Sequence, residues 1–269
     1  MPARAPKARG EMRATRPNAA LRIAYQRQLE KIIDEMHRST IYWLRATYRA
    51  RQGEIVQDAS PARDLAEQLA RRARQWRRMF ADRAPDLART FISGVDKYAT
   101  SATKQAAVAL TGISVSVKDT LVSNTVMQAS IQENVSLIKS IQSEYATEVE
   151  GLVMRSVTAG RDLQQLTDQL EARYGITRRR AKFIANDQNN KVTAQMARAR
   201  QLGMGINKAR WLHTGGGKNP RHSHVLANGK VFDLSKGLKI DGEYIFPGEK
   251  PNCGCVGAPI IPGVDDENE

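Results

Sequence analysis

The stretch from Val192 to His213, VTAQMARARQLGMGINKARWLH, contains a change of structural class. Before Gly203, the apolar positions Val192, Met196 and Ala199 recur at helical spacing with basic residues between them. They continue a pattern begun by Ala181, Ile184 and Ala185, which predicts a helix from about Thr177 to Gly203. After Gly203, Lys208-Ala-Arg-Trp-Leu-His213 reads as a strand, and so does Lys230-Val-Phe-Asp233. Glycines and prolines become frequent, and Trp211, His213, His222, His224, Cys253 and Cys255 all fall here. The fold class is therefore α+β, a long mainly helical N-terminal region followed by a small, turn-rich, β-containing C-terminal module.

Upstream, Leu21, Tyr25, Leu29, Ile32 or Ile33, Met36, Ile41 and Leu44 mark a helix from about Leu21 to Arg51. Ser60-Pro61 opens a second, with Leu65, Leu69, Ala73, Trp76 and Phe80 on one stripe. Pro85 is expected to end or restart it, and the pattern resumes at Leu87, Phe91, Val95 and Tyr98. Gly112-Ile-Ser-Val-Ser-Val-Lys118 alternates like a strand among helices, and both readings stay open. Residues 119–157 are helical, with Val135, Ile138, Ile141 or Gln142, Tyr145, Val149 and Leu152 inward; 161–173 is a short helix closed at Tyr174-Gly175. Four segments are expected: a disordered basic arm (1–18), a helical region (19–175), the C-terminal module (176–264) and an acidic tail (265–269).

The 269 residues carry a net charge of +14, and the excess is placed unevenly. Residues 1–100 hold 21 Lys/Arg against 11 Asp/Glu. Arg71, Arg72, Arg74, Arg77 and Arg78 crowd one part of the second helix, where they would meet phosphates or an acidic protein surface without reading sequence. Solvation of a helix face is the bland alternative. No apolar run approaches the roughly 18 residues of a membrane span, and the basic N-terminus lacks the apolar segment of a secretory signal. Two cysteines make no disulfide framework, so a reducing cytoplasm is the expected place of folding.

Those cysteines, Cys253 and Cys255, are one residue apart, and a ring closed between them would strain disulfide geometry. His222 and His224 share the same spacing, which on a strand points both side chains to one face. Two imidazoles and two thiolates form a zinc ligand set, although paired zinc ligands are usually two to four residues apart. The alternative is two small buried thiols and two histidines on exposed turns. No HExxH, GxSxG or Gly-rich phosphate loop is present, and no third group is placed to orient a Cys–His catalytic pair. No catalytic residue is assigned.

Several short pieces, in order, resemble the phage Mu F-like family of head morphogenesis, or minor head, proteins. They are Ile184-Ala-Asn-Asp-Gln188, Trp211 with Thr214, Arg221-His-Ser-His224, Asn228-Gly-Lys-Val-Phe232, Phe246-Pro-Gly-Glu249 and Asn252-Cys-Gly-Cys255. The resemblance covers about the last third of the chain. It departs from the family at Gly217, where an Asp is common, at Gly254, where Arg is common, and at His222, which the family does not reserve for histidine.

The resemblance implies a virion component made in the host cytoplasm, acting in head assembly with the portal and major capsid proteins and in contact with double-stranded DNA. A metal-dependent nuclease or hydrolase acting on nucleic acid is the alternative. A carrier for a fused toxin is disfavoured, because the sequence ends soon after the module. The metal candidates are His222, His224, Cys253 and Cys255, with zinc as the ion; the contact candidates are the five arginines.

Overall fold

Four long helices carry most of the chain: α1 (Ala19–Ala50), α2 (Ala59–Thr111), α3 (Leu121–Thr158) and α4 (Leu163–Gly203). The computed structural model describes residues 10–50, 59–159, 163–215 and 219–261. Two compact units result. One gathers Ile23–Ala88 and Gln132–Ala185; the other gathers the described residues up to Arg22, Arg89–Ile131 and those from Asn186 onward. Each of α2, α3 and α4 contributes one segment to each unit.

The first unit is all-helical, and its core follows the apolar periodicity. Tyr25, Leu29, Ile33 and Met36 of α1, Leu69, Trp76 and Phe80 of α2, and Ile138, Ile141 and Tyr145 of α3 are buried. On α3 the inward residue near the end is Val153 rather than Leu152. Buried polar pairs fix how these helices register. Tyr25 donates its hydroxyl to Asn134 Oδ1 (3.0 Å). His37 Nδ1 lies 2.8 Å from the Tyr145 hydroxyl, and its Nε2 lies 3.1 Å from Glu171 Oε1. Tyr25, Asn134, His37 and Tyr145 thus have partners, so these groups escape the cost of desolvation without a bond.

Two expected breaks are absent. α2 runs through Pro85, which removes one intrahelical hydrogen bond. Phe80, Ala84, Ala88 and Phe91, buried at helical spacing on both sides, offset that loss. α4 likewise runs through Tyr174-Gly175. Tyr174 stacks on His37 with ring centroids 4.2 Å apart and donates to Asp34 Oδ1 at 2.7 Å. Such anchoring exceeds the roughly 1 kcal/mol that glycine costs inside a helix. The expected boundary at residue 175 thus falls inside a continuous helix.

The second unit contains the β module. Strands β1 (Lys208–Leu212), β2 (Val231–Asp233) and β5 (Val256–Ile260) form an antiparallel sheet in the order β2-β1-β5. A hairpin of β3 (Leu238–Ile240) and β4 (Glu243–Ile245) lies between them in sequence, and a short helix α5 (His222–Leu226) follows β1. The change of class at Gly203 is explained by local geometry. Gly205 has φ +79°, and Ile206 N–H donates to the Gln201 carbonyl (3.0 Å), so the last carbonyls of α4 are satisfied as the chain turns into β1. The 112–118 segment forms no strand; Thr120 and Ser123 exchange hydrogen bonds that start α3 just after it.

Within the expected basic arm, residues 10–12 pair with the β module. Glu11 bridges Ile260, Met12 N–H donates to the Pro259 carbonyl (2.8 Å), and Met12 is buried. Sheet-edge pairing uses backbone groups, which composition does not reveal. Glu11 also accepts from Arg210 Nε at 2.8 Å. Residues 1–9 and the acidic tail 265–269 lie outside the described residues.

Candidate metal centre and basic helix face

Trp211, in the central strand, is fully buried and forms the floor beneath α5. His224 of α5 is 3% exposed and meets the Trp211 ring edge-on, with centroids 5.3 Å apart. The loop that enters β5 brings Cys253 and Cys255, both unbridged and buried, against the same imidazole. His224 Nδ1 is 3.3 Å from Cys253 Sγ and 3.9 Å from Cys255 Sγ. One donor atom from each of these three residues lies within 4.8 Å of the others. From the end of β1, His213 Nδ1 approaches Cys255 Sγ to 3.5 Å.

His222 does not join them. It opens α5 and is exposed, whereas His224 two residues on is buried. On a helix, residues two apart point to nearly opposite sides, so the shared face expected of a strand does not exist. His213 was visible in the sequence as the last residue of the Trp-bearing strand, but no short-range spacing connects it with the cysteines.

The loop is set by residues that the sequence pieces share. Asp187 Oδ1 on α4 accepts the Asn252 N–H at 2.6 Å, and Asn186 Nδ2 donates to Asn252 Oδ1 at 3.1 Å. These bonds hold Asn252 at φ +55°, in the left-handed region that asparagine tolerates. Arg221 donates to the Pro251 carbonyl (3.1 Å), and Thr214 Oγ1 donates to the Gly254 carbonyl (2.9 Å). A Cβ at position 254 would stand 3.0 Å from Thr214 Oγ1, so the small residue there matches its neighbour. A Cβ on Gly248, at φ +82°, would lie 2.8 Å from the Ala194 Cβ, so the Pro-Gly-Glu turn closes directly on α4. Gly217 lies outside the described residues.

The two thiols titrate apart. A hydrogen bond from the Cys255 thiol holds Cys253 well below the ordinary thiol range, at about 5, against the opposing effect of burial. The same bond, with burial, pushes Cys255 up. A thiolate beside an imidazole at 3.3 Å is also a nucleophile–base geometry. Cys253 and His224 are only 4% and 3% exposed, however, and a buried pair does not meet a substrate. The donors face one another, which suits an ion.

The second candidate surface is on α2. Arg71, Arg74, Arg77 and Arg78 are exposed. Arg71 pairs with Glu67 at 2.7 Å, one turn earlier, an exposed contact of small energetic weight. Arg72 differs from the others. Its guanidinium lies over the Trp43 ring, 5.0 Å from the centroid, and is partly buried, which lowers its pKa through desolvation. It packs against α1, while the other four present charge outward.

Comparison with known proteins fits the module described above. Residues 147–258 match the family described as Phage Mu protein F like protein. An uncharacterized protein of Haemophilus influenzae (strain ATCC 51907 / DSM 11121 / KW20 / Rd) is 34% identical over 136 residues, which cover 51% of this chain and 29% of that protein. The chain thus spans less than a third of that relative's length. No solved structure matches. The matched region contains Asp187, Trp211, His224 and both cysteines, and through residues 147–258 the chain is similar to the family described as Phage Mu protein F like protein.

Proposed function

We propose that this chain is a minor head protein of a tailed bacteriophage, acting in head assembly by associating with the portal and the major capsid protein. The observation that carries this reading is the family match over residues 147–258. Four outward arginines on α2 support a contact with packaged double-stranded DNA or an acidic partner surface. Its place is then the virion head, after assembly in the host cytoplasm. Among the described residues no helix is long and apolar enough to cross a membrane. The nuclease or hydrolase reading is not favoured, because the buried donor cluster holds no carboxylate and offers no face to a substrate.

Co-expression with the portal and major capsid proteins tests the assembly role. The chain is expected in purified portals, proheads and heads at a low, fixed ratio to portal; its absence from every particle would overturn the reading. The arginine face is tested separately with Arg71, Arg74, Arg77 and Arg78 changed to Gln. Arg72 stays, because its loss would disturb packing on Trp43. If each arginine neutralises one phosphate, the log–log salt dependence of DNA binding should flatten by about 3–4. An unchanged slope with unchanged incorporation would leave these arginines as a solvated face.

A further inference from the structure

We infer that His213, His224, Cys253 and Cys255 bind one zinc ion as a closed structural site that joins β1, α5 and the loop before β5. The donor spacing is the first ground. A tetrahedral zinc with bonds of about 2.0–2.3 Å sets its ligand atoms roughly 3.3–3.8 Å apart. His224 lies 3.3 and 3.9 Å from the sulfurs of Cys253 and Cys255, and these three form the compact set; His213 reaches it through Cys255, at 3.5 Å. Two thiolates and two imidazoles are a donor set that suits zinc over magnesium or calcium, which take oxygen ligands.

The second ground is an atom outside the cluster. Trp211 Nε1 is buried and has no hydrogen-bond partner. A buried indole N–H without a partner is uncommon and costly. The group it faces is Cys255. A zinc-bound thiolate at Cys255 supplies the negative sulfur this donor lacks, and a supporting N–H of this kind is what orients metal ligands. The third ground is burial. His224, Cys253 and Cys255 are nearly inaccessible, and with the half-buried His213 as fourth ligand no position remains for a reactive water. A closed four-ligand site is structural in character.

The inference stands apart from the assembly reading, and its test does not involve particles. The full chain, purified without chelator, should contain about one equivalent of zinc by elemental analysis. Cobalt(II) exchanged into it should give thiolate-to-cobalt charge transfer and the intense visible bands of a tetrahedral site. Both signals should vanish in Cys253→Ser and persist in His222→Ala. His213→Ala should weaken zinc by more than the roughly 10–100-fold that losing a supporting contact costs. Cys253→Ser is open to misfolding, so wild-type protein is also tracked by circular dichroism during chelation, with loss and zinc-specific recovery of β signal expected. Folded wild-type protein that neither holds zinc nor gives the cobalt spectrum would overturn the site, as would a Cys253–Cys255 disulfide. Unchanged affinity in His213→Ala would overturn the four-ligand closure.

Discussion

Trp211→Ala is expected to unfold the β module, lowering its stability by about 3–5 kcal/mol, the range for removing a large buried aromatic side chain. Trp211 sits at the middle of the interaction network. Its strand pairs with β2 on one side and β5 on the other, in register with Gly257. Its ring touches His224 and Phe232 edge-on, and its backbone carbonyl accepts the Gly229 N–H that turns the chain into β2. Ala209, on the same face of β1 and in the same buried cluster, is too small to refill the space. For a chain of this size the loss corresponds to a midpoint drop on the order of 10 °C. Trp211→Phe keeps most of the apolar ring and removes the unpaired N–H, and should cost about 1–2 kcal/mol. Urea unfolding followed by far-ultraviolet circular dichroism measures both. A loss below about 1 kcal/mol for Trp211→Ala would show that the module's core does not depend on this side chain.

The helical periodicity was legible because side-chain burial repeats every three to four residues. Tyr25, Leu69, Phe80, Ile138 and Met196 are all buried where that repeat places them. The change of class at Gly203 was legible for a related reason, since the end of α4 is governed by a glycine conformation and local backbone bonds. What could not be read depends on partners distant in sequence. Pro85 and Gly175 are local helix breakers, and only packing along α2 and α4 outweighs them. Residues 10–12, Gly-Glu-Met, follow a basic stretch rich in Pro and Ala, yet their backbone adds to a sheet edge at Ile260. At the candidate centre, Cys253, Cys255 and His224 lie together. His222 would share a face with His224 on a strand, but the segment forms a helix, and a fold rather than a spacing brings His213 to Cys255. The motif pieces proved informative in another way. Asn186, Asp187, Thr214, Arg221 and Asn252, which have no evident chemistry in the sequence, hold the cysteine loop in place.

Arg200→Met is expected to cost about 3 kcal/mol, because it leaves a partly buried carboxylate without its cation. The Arg200 side chain is 3% exposed at the end of α4. Its guanidinium donates to Asp96 Oδ1 at 2.7 Å, to Ser123 Oγ at 3.2 Å and to the Lys118 carbonyl at 3.1 Å, and pairs with Asp119 at 2.7 Å. Burial works against its charge, and the carboxylates of Asp96 and Asp119 more than compensate. These contacts fasten the irregular 112–120 segment beside the helix that leads into β1. The two acids will respond differently to the loss. Asp119 is 73% exposed and rehydrates readily, whereas Asp96, at 20%, remains partly enclosed, which puts the cost at the lower end of the 3–5 kcal/mol range for broken buried pairs. Arg200→Lys keeps the charge but cannot span the same acceptors, so it should recover only part of the loss. The decisive comparison adds Asp96→Leu to Arg200→Met, which removes the stranded charge together with its partner. The double variant should be more stable than Arg200→Met alone, by roughly 1–2 kcal/mol in urea unfolding, since apolar replacement of a buried pair is often nearly neutral. If the second substitution instead adds its own full cost, the stability at this site comes from the arginine's packing and backbone bonds, and the charge pair contributes little.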